Sequence, residues 1–221
     1  DDGEKLAGLL RARGIGRVDL LVVTHFDKDH VGGAAALAAQ VEIGRVLLPN
    51  YESSRPEYLA LLEALAQKGV APERLASPVS LALGDAQLLV EPAASQPGCG
   101  PGALPAKEDN DLSLVVTVTH GQNRLLFMGD AEGGRIREWL AGPGCAPCAF
   151  LKVPHHGRYD PALEDLLAAA TPQYAAICCS GKNPADPKTL ALLRQYGVEA
   201  FETKDGDITL TSDGRALQVS Q

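Results

Sequence analysis

The stretch LVVTHFDKDHVGG, residues 21–33, constrains the fold more than any other part of the sequence. An apolar run of branched residues ends at Thr24, which is typical of a buried strand. Imidazole and carboxylate groups are ligands that divalent metals use in proteins. The stretch therefore predicts a metal-binding loop at the end of a buried strand, and the four candidate ligands are His25, Asp27, Asp29 and His30.

The rest of the sequence predicts a mixed α/β protein. Helical periodicity that ends at glycine occurs at 4–13 and 56–69, and strand-like apolar runs lie between the helical segments. A hairpin is predicted over residues 111–130, and two or three short antiparallel strands over 199–220. Hairpins among α/β units favour a sandwich with mixed sheets. We expect one domain over residues 1–221, which is long enough to bury a core without covalent cross-links.

Composition narrows the classes of function. The net charge of −8 argues against a broad nucleic-acid-binding surface, although it leaves room for a basic groove. The chain contains no run of about 18 apolar residues, so no membrane span is predicted. The one Cys-x-x-C pair, Cys145 and Cys148, lacks the second pair that a zinc ribbon needs. We therefore expect free thiols.

Two later segments carry metal-type ligands at the ends of predicted strands. Asp130 ends LLFMGD, and His155 and His156 follow the strand in LKVPHHG. Strand ends at one edge of a sheet are where such sites assemble, so we expect these residues to meet the first motif. Asp130 could instead cap the next helix, and one histidine of the pair could be structural. His120 is predicted to lie at the surface, at a hairpin tip.

These motifs carry a resemblance to a known family. THFDKDHVGG resembles the first metal motif of the metallo-β-lactamase fold. NDLSLVV, LLFMGDAE and LKVPHHG follow in the order found in the hydrolase domain of the ComEC family of competence channel proteins, and the tail YGVEAFETKDGDITLTSDG is similar to that family's ending. The resemblance implies an α/β fold of the αββα sandwich type, in which a pair of strands precedes the first helix. The segment DDGEKLAGLL is expected to enter after those strands.

The resemblance also implies a ligand set for two divalent ions, either Mn²⁺ or Zn²⁺. One ion would take His25 and Asp27, and Asp130 would bridge to the other. The second ion would take Asp29, His30 and either His155 or His156. Many members of the fold have a further histidine in the middle of the chain. Here Asn110 or Asp111 is expected near the metals instead.

For function, the resemblance points to a nuclease. It implies that a metal-activated water hydrolyses DNA, single-stranded DNA above all, with Asp29 and Asp130 as catalytic residues and the non-imported strand of natural transformation as substrate. Lys28, Arg158 and Lys182 are predicted to bind phosphates. Relatives carry serine at the position of Arg158 and a histidine near that of Asp186, so substrate placement is expected to differ.

Two alternatives remain open from the sequence. The chain could hydrolyse a small phosphodiester or another ester at the same site, or it could be a non-catalytic DNA-binding domain. The resemblance further implies that the chain is part of a larger membrane channel protein. In that case its location would be membrane-associated and extracytoplasmic.

Overall fold

The computed structural model describes residues 2–99 and 109–221. The α-helices are α1 (Asp2–Ala12), α2 (Lys28–Val31), α3 (Ala34–Gln40), α4 (Pro56–Gln67), α5 (Gly133–Ala141), α6 (Ala162–Ala170) and α7 (Pro187–Gln195). The β-strands are β1 (Arg17–Val22), β2 (Glu42–Pro49), β3 (Glu73–Leu75), β4 (Val79–Leu83), β5 (Ala86–Glu91), β6 (Val115–His120), β7 (Asn123–Phe127), β8 (Phe150–Lys152), β9 (Tyr174–Ile177), β10 (Glu199–Glu202), β11 (Thr209–Ser212) and β12 (Leu217–Ser220). Short 3-10 helices cover Asn110–Leu112 and His155–Gly157.

The described strands form three sheets. The first has the order β1-β2-β3 and is parallel. The second has the order β10-β9-β8-β7-β6-β5-β4, parallel from β10 to β7 and antiparallel from β7 to β4. The third is the antiparallel pair β11 and β12. The prediction of mixed sheets is confirmed.

Three apolar clusters hold four layers together. Helices α1, α3 and α4 cover one face of the first sheet through a cluster that includes Ala7, Leu37 and Leu61. Leu47 of the first sheet meets Leu88 of the second in the space between the sheets. Helices α5, α6 and α7 cover the far side of the second sheet. This helix–sheet–sheet–helix stacking is the αββα sandwich expected from the resemblance.

Local sequence explains how the first helical layer packs. The helix α4 begins with Pro56, whose fixed φ suits a first helical position. Gly69, at φ +69°, follows its end. Helix α1 lies directly on α3, because Gly3 faces the Gly33 backbone and a β-carbon at Gly3 would fall 2.0 Å from the Gly33 carbonyl oxygen. Close approach at this point therefore requires glycine.

The C-terminal strands differ from the prediction in one respect. β10 pairs in parallel with β9, whereas an antiparallel arrangement was expected over 199–220. The reason is the intervening helix α7, which carries the chain back across the sheet and makes β9-α7-β10 a parallel crossover unit. Only β11 and β12 form the predicted antiparallel hairpin.

Three further features bear on the expectations for the whole chain. Within the described residues, β1 is hydrogen-bonded to β2 alone and forms an edge of the first sheet. None of the helices in this part of the chain combines the length and apolar character needed to cross a membrane. All five cysteines are free.

Candidate metal centre

The first motif is held in place by an aromatic anchor. Phe26 is fully buried, and its ring centroid lies 4.6 Å from that of Tyr51 and 4.3 Å from that of Tyr58. The backbone N–H of Phe26 donates to the Tyr51 hydroxyl at 3.0 Å. Because Phe26 sits between the candidate ligands on either side of it, this packing fixes the direction in which those ligands leave β1.

A single helical turn presents the second half of the motif. The Asp27 carbonyl accepts hydrogen bonds from the backbone N–H groups of His30 and Val31, each at 2.9 Å. Helix α2 therefore begins at Lys28, inside the stretch predicted as a loop. Val31 is buried and packs this helical turn against the core. Asp29 and His30 are consequently placed by a helix.

Asp130 and the two later histidines follow neighbouring strands. β7 and β8 are parallel and adjacent, so their ends lie side by side. Gly129 has φ +56°, and a β-carbon there would lie 3.0 Å from the Ser113 side chain, so glycine permits the turn into buried Asp130. His155 and His156 also have positive φ, 46° and 54°. Consecutive non-glycine residues in this conformation store strain of the kind found at functional sites.

Four side chains converge to form what we call the four-residue centre: Asp29, His30, Asp130 and His156. One donor atom from each lies within 4.8 Å of the others. The Asp130 carboxylate lies between the imidazoles, with Oδ1 3.1 Å from His30 Nε2 and Oδ2 3.0 Å from His156 Nε2. Asp29 Oδ2 lies 2.9 Å from His156 Nε2. Two imidazoles and two carboxylates without a thiolate form a donor set that suits Zn²⁺ or Mn²⁺.

The structure distinguishes the two adjacent histidines. His156 Nδ1 lies 2.8 Å from the carbonyl oxygen of Cys178. A carbonyl only accepts, so Nδ1 carries a hydrogen, and Nε2 is the nitrogen that would bind an ion at the centre once it gives up the hydrogen it shares with Asp130. His155 turns away, with its Nδ1 3.1 Å from Glu132 Oε1. Of the two histidines that the sequence offered, the structure brings His156 to the centre.

Asp130 is held in its ionised form. Burial alone would raise its pKa, but hydrogen bonds from His156 and His30 and the charge of Lys152 hold the pKa of this carboxyl well below its usual range. Lys152 Nζ donates to the Gly129 carbonyl at 2.8 Å and lies 3.4 Å from Asp130 Oδ1. The hydrogen bond with Asp130 in turn raises the pKa of His156. The centre therefore favours the charged form of this carboxylate.

His25 lies beside the four-residue centre. It is fully buried, its ring centroid is 4.1 Å from that of His30, and its Nδ1 is 3.1 Å from Thr24 Oγ1. Within residues 2–99 and 109–221, no hydrogen-bond partner reaches its Nε2. Burial and then the neighbouring charge of His30 lower the pKa of His25 to about 4, so the imidazole is neutral at pH 7. A buried nitrogen without a partner fits a position next to a bound ligand.

Asp27 shares its surroundings with a second acid, Asp109. The Arg55 guanidinium contacts the Asp27 carboxylate and lies 3.5 Å from Asp109 Oδ1. Burial and a hydrogen bond with Asp109 raise the pKa of Asp27 to about 6. Burial also opposes ionisation of Asp109, but hydrogen bonds from Tyr51 and Asp27 keep the pKa of Asp109 below its usual value. The pair therefore carries less negative charge than two free carboxylates.

Two of the three predicted phosphate-binding residues lie beside the centre. Arg158 and Lys182 are exposed and line an open groove that also includes Asp29 and His156. Lys28 points elsewhere: its Nζ lies 3.7 Å from a carboxylate oxygen of Glu57 on α4. Arg158 and Lys182 therefore add positive charge along the groove beside the candidate ligands, in addition to Lys152 next to Asp130.

Several polar residues prove to have structural contacts. Asp111 Oδ1 accepts the backbone N–H groups of Glu132 and Arg135 at 2.9 and 3.1 Å, at the start of α5. Asn110 donates to Glu132 Oε1 at 3.1 Å, and the same oxygen lies 3.1 Å from Nδ1 of His155, the histidine that turns away from the centre. Asp186 caps α7 by accepting from the Lys188 backbone N–H at 2.8 Å.

His120 lies at the end of β6 as predicted but is partly buried. Its Nδ1 is 3.0 Å from Ser212 Oγ of β11. The expected position at the hairpin tip is confirmed, but the side chain is less exposed than predicted, because the β11–β12 pair packs over this tip.

Sequence reasoning missed three residues of the site: Tyr51, Arg55 and Asp109. The Tyr51 hydroxyl donates to Asp109 Oδ2 at 2.8 Å, and Arg55 reaches both acids. Asp109 had a signal in the sequence, since it belongs to the acidic run EDND where other members of the fold carry a ligand. Arg55 and Tyr51 had none, because their contacts join segments far apart in the chain.

Known proteins resemble the chain in sequence and fold. Residues 2–182 match the Lactamase_B family of the metallo-β-lactamase superfamily. The chain is 30% identical over 206 residues to ComE operon protein 3 of Bacillus subtilis (strain 168), a match that covers 91% of this chain and 25% of that protein. The chain thus spans a quarter of the length of this relative.

Solved structures extend the comparison to the fold alone. The metallo-β-lactamase fold protein YhfI of Bacillus subtilis matches with a TM-score of 0.53 and 11% identity, over 98% of this chain and 82% of that one. A mutant of CmlA β-hydroxylase matches with a TM-score of 0.50 and 14% identity, over 85% of this chain and 43% of that one.

Proposed function

The chain belongs to the metallo-β-lactamase superfamily, and we propose that it is a metal-dependent phosphodiesterase that degrades DNA. The observation that carries this proposal is the four-residue centre, which opens onto a groove lined by Arg158 and Lys182. A metal centre beside exposed cations matches the needs of phosphodiester hydrolysis, because the substrate is an anion and the reaction builds further charge on it.

The roles of the residues follow from their positions. The residues of the four-residue centre would hold a divalent ion, which would supply a water of lowered pKa as nucleophile and positive charge for the phosphoryl oxygens. Asp130 offers one oxygen on each side and keeps both imidazoles oriented. Asp29, whose side chain is 61% exposed, lines the groove and would be the carboxylate that takes the proton of the attacking water. In this proposal the four-residue centre would hold one of the two ions that the resemblance implies, either Mn²⁺ or Zn²⁺, and His25 and Asp27 would be ligands of the other.

DNA is the proposed substrate because of the groove and the relatives. Arg158 and Lys182 are placed to bind phosphates, which gives affinity without reading sequence. Similarity to ComE operon protein 3 supports a role in DNA uptake, in which this domain would degrade the non-imported strand. The domain would then be part of a larger membrane channel protein and act on single-stranded DNA outside the cytoplasm.

A second candidate substrate is a small phosphodiester. The net charge of −8 favours it, because a long polyanion is repelled by an acidic protein wherever local cations do not compensate. The same centre and the same two groove cations would serve a small substrate equally well.

Cleavage of end-labelled single-stranded DNA tests the proposal. Metal-stripped protein is assayed with Mn²⁺, Zn²⁺ or Mg²⁺ added back, beside Asp130→Ala and a matched control, Asp165→Ala, which changes an exposed aspartate on α6. We expect metal-dependent cleavage in the wild type and in the control, and none in Asp130→Ala. Hydrolysis of bis(p-nitrophenyl) phosphate without DNA cleavage would favour the small substrate. If folded, metal-bound protein cleaves neither DNA nor bis(p-nitrophenyl) phosphate, both candidate functions are contradicted.

A further inference from the structure

The position marked by His25 and Asp27 already has a cation beside it. Asp27 lies between an imidazole and a guanidinium: its Oδ2 is 3.9 Å from His25 Nε2, and its Oδ1 contacts Arg55 Nη2. The superfamily resemblance assigns Asp27 to the first of two ions. In this chain the carboxylate that would hold that ion is paired with an arginine.

The fold places Arg55 at this position through its backbone. Arg55 is the residue before α4, with φ −65° and ψ 132°, and Pro56 follows it as the first helical residue. Its backbone N–H donates to Ser53 Oγ at 3.2 Å, and its carbonyl accepts from the Leu59 N–H at 3.1 Å. The backbone position of Arg55 is therefore fixed, and its side chain is long enough for the guanidinium to reach Asp27 and Asp109.

Asp109 is a second carboxylate that attracts the Arg55 guanidinium to this position. This carboxylate is 4% exposed, and its Oδ2 is already used by the Tyr51 hydroxyl and the Phe26 N–H, at 2.8 and 3.2 Å. Its other oxygen, Oδ1, faces Arg55 at 3.5 Å. A buried carboxylate requires a compensating positive charge, and Arg55 supplies it to Asp109 and Asp27 together.

We propose that Arg55 acts as a built-in cation at the first metal position, so that this chain binds one divalent ion tightly, at the four-residue centre, and a second only weakly. The proposal rests on the metal centre of the proposed function. A second ion bound to Asp27 would have to displace the guanidinium or lie next to it, and like charges at that distance repel strongly. His25 would remain as its one uncontested imidazole ligand.

Metal titration of the intact chain tests the proposal without using activity. Metal-free protein is titrated with Mn²⁺, and bound ions are counted by calorimetry and by the electron paramagnetic resonance signal of free Mn²⁺. We expect one tight ion per chain in the wild type. In Arg55→Gln we expect the second ion to bind at least about tenfold more tightly. Arg55→Lys keeps the positive charge, so its second Mn²⁺ ion should still bind weakly.

A charge-matched control separates the effect of the Arg55–Asp27 contact from the effect of losing one positive charge near the site. Lys28→Gln removes a cation of the same motif that pairs with Glu57 instead of Asp27, and it should leave both affinities unchanged. Arg55 keeps 41% of its side chain exposed, so its loss leaves no large cavity. If Arg55→Gln still fails to fold, the number of Mn²⁺ ions bound tightly by the wild type and by Arg55→Lys tests the proposal.

The outcomes separate this proposal from the proposed function. Two equally tight ions in the wild type would overturn the role of Arg55 and leave the hydrolase proposal standing. An unchanged second affinity in a folded Arg55→Gln variant would also overturn it. No tight ion in any variant would contradict the metal centre itself, and with it both proposals.

Discussion

His156 Nε2 lies 3.0 Å from Asp130 Oδ2, although the two residues follow different strands of the second sheet. Asp130 follows β7 and His156 follows β8, while the carbonyl that orients His156 belongs to Cys178, just after β9. Three adjacent parallel strands thus supply a carboxylate, an imidazole and the group that fixes its tautomer. The parallel half of the sheet makes this possible, because all three strands end at the same edge.

This relationship predicts different results for the two adjacent histidines. His156→Ala removes a proposed ligand and should weaken metal binding by more than the roughly 10–100-fold that loss of a supporting residue costs. His155→Ala should leave the affinity unchanged, since His155 faces Glu132. Competition with a metallochromic dye measures both. Equal losses in the two variants would show that His155 contributes a ligand after all.

Removal of either carboxylate of the centre should abolish hydrolysis with unequal effects on stability. Asp29 is largely exposed, so the free energy of unfolding of Asp29→Ala should stay within about 0.5 kcal/mol of the wild type. Asp130 is buried against two imidazoles and Lys152, so Asp130→Ala should lose roughly 1–3 kcal/mol and still fold. Urea unfolding and the DNA cleavage assay give the two readouts. Full activity of either variant would contradict the mechanism.

The convergence of the four side chains could be predicted from the sequence, because the residues follow strand ends within short motifs. His25, Asp27, Asp29 and His30 share six residues, and Asp130 and His156 each follow an apolar run. The surrounding contacts were beyond sequence reasoning. Arg55 reaches Asp27 and Asp109 across a gap of 28 and 54 positions, and neither side of that contact has a periodic pattern.

Bound metal should stabilise the folded chain. The four donors are brought together only in the folded state, so an ion at 100 times its dissociation constant should add about 2.7 kcal/mol to the free energy of unfolding. Thermal unfolding with Mn²⁺ or Zn²⁺, then with excess chelator, measures this. Asp130→Ala serves as the control and should show no metal-dependent shift. A shift of equal size in that variant would place the ion outside the centre.

The tyrosine that supports the acidic pair should matter for stability. Tyr51→Phe removes a hydroxyl that donates to Asp109 and accepts from the Phe26 N–H, both in buried surroundings. We expect the free energy of unfolding to fall by about 1–3 kcal/mol. Tyr159→Phe is the matched control, since Tyr159 is 37% exposed, and it should change stability by no more than about 0.5 kcal/mol. Similar losses in both variants would contradict the assigned role of the hydroxyl.

Secondary structure was predictable where local signals and packing agree. Pro56 and Gly69 marked the helix α4 correctly to within two residues of its observed end at Gln67. The pairing direction of β10 was not predictable from its own residues. Glu199–Glu202 carries no signal of direction, and only the packing of α7 between β9 and β10 makes the pair parallel.

The groove cations should control how DNA binding depends on salt. Each lost phosphate contact on single-stranded DNA should reduce the slope of log K against log salt by about 0.7. The double variant Arg158→Gln, Lys182→Gln should show this reduction for each residue, because both line the groove beside Asp29 and His156. Lys28→Gln is the matched control and should keep the wild-type slope, since Lys28 pairs with Glu57. Fluorescence anisotropy in excess chelator gives the slopes without cleavage. A reduced slope in the control with an unchanged slope in the double variant would show that DNA follows a path over α2 instead of the groove.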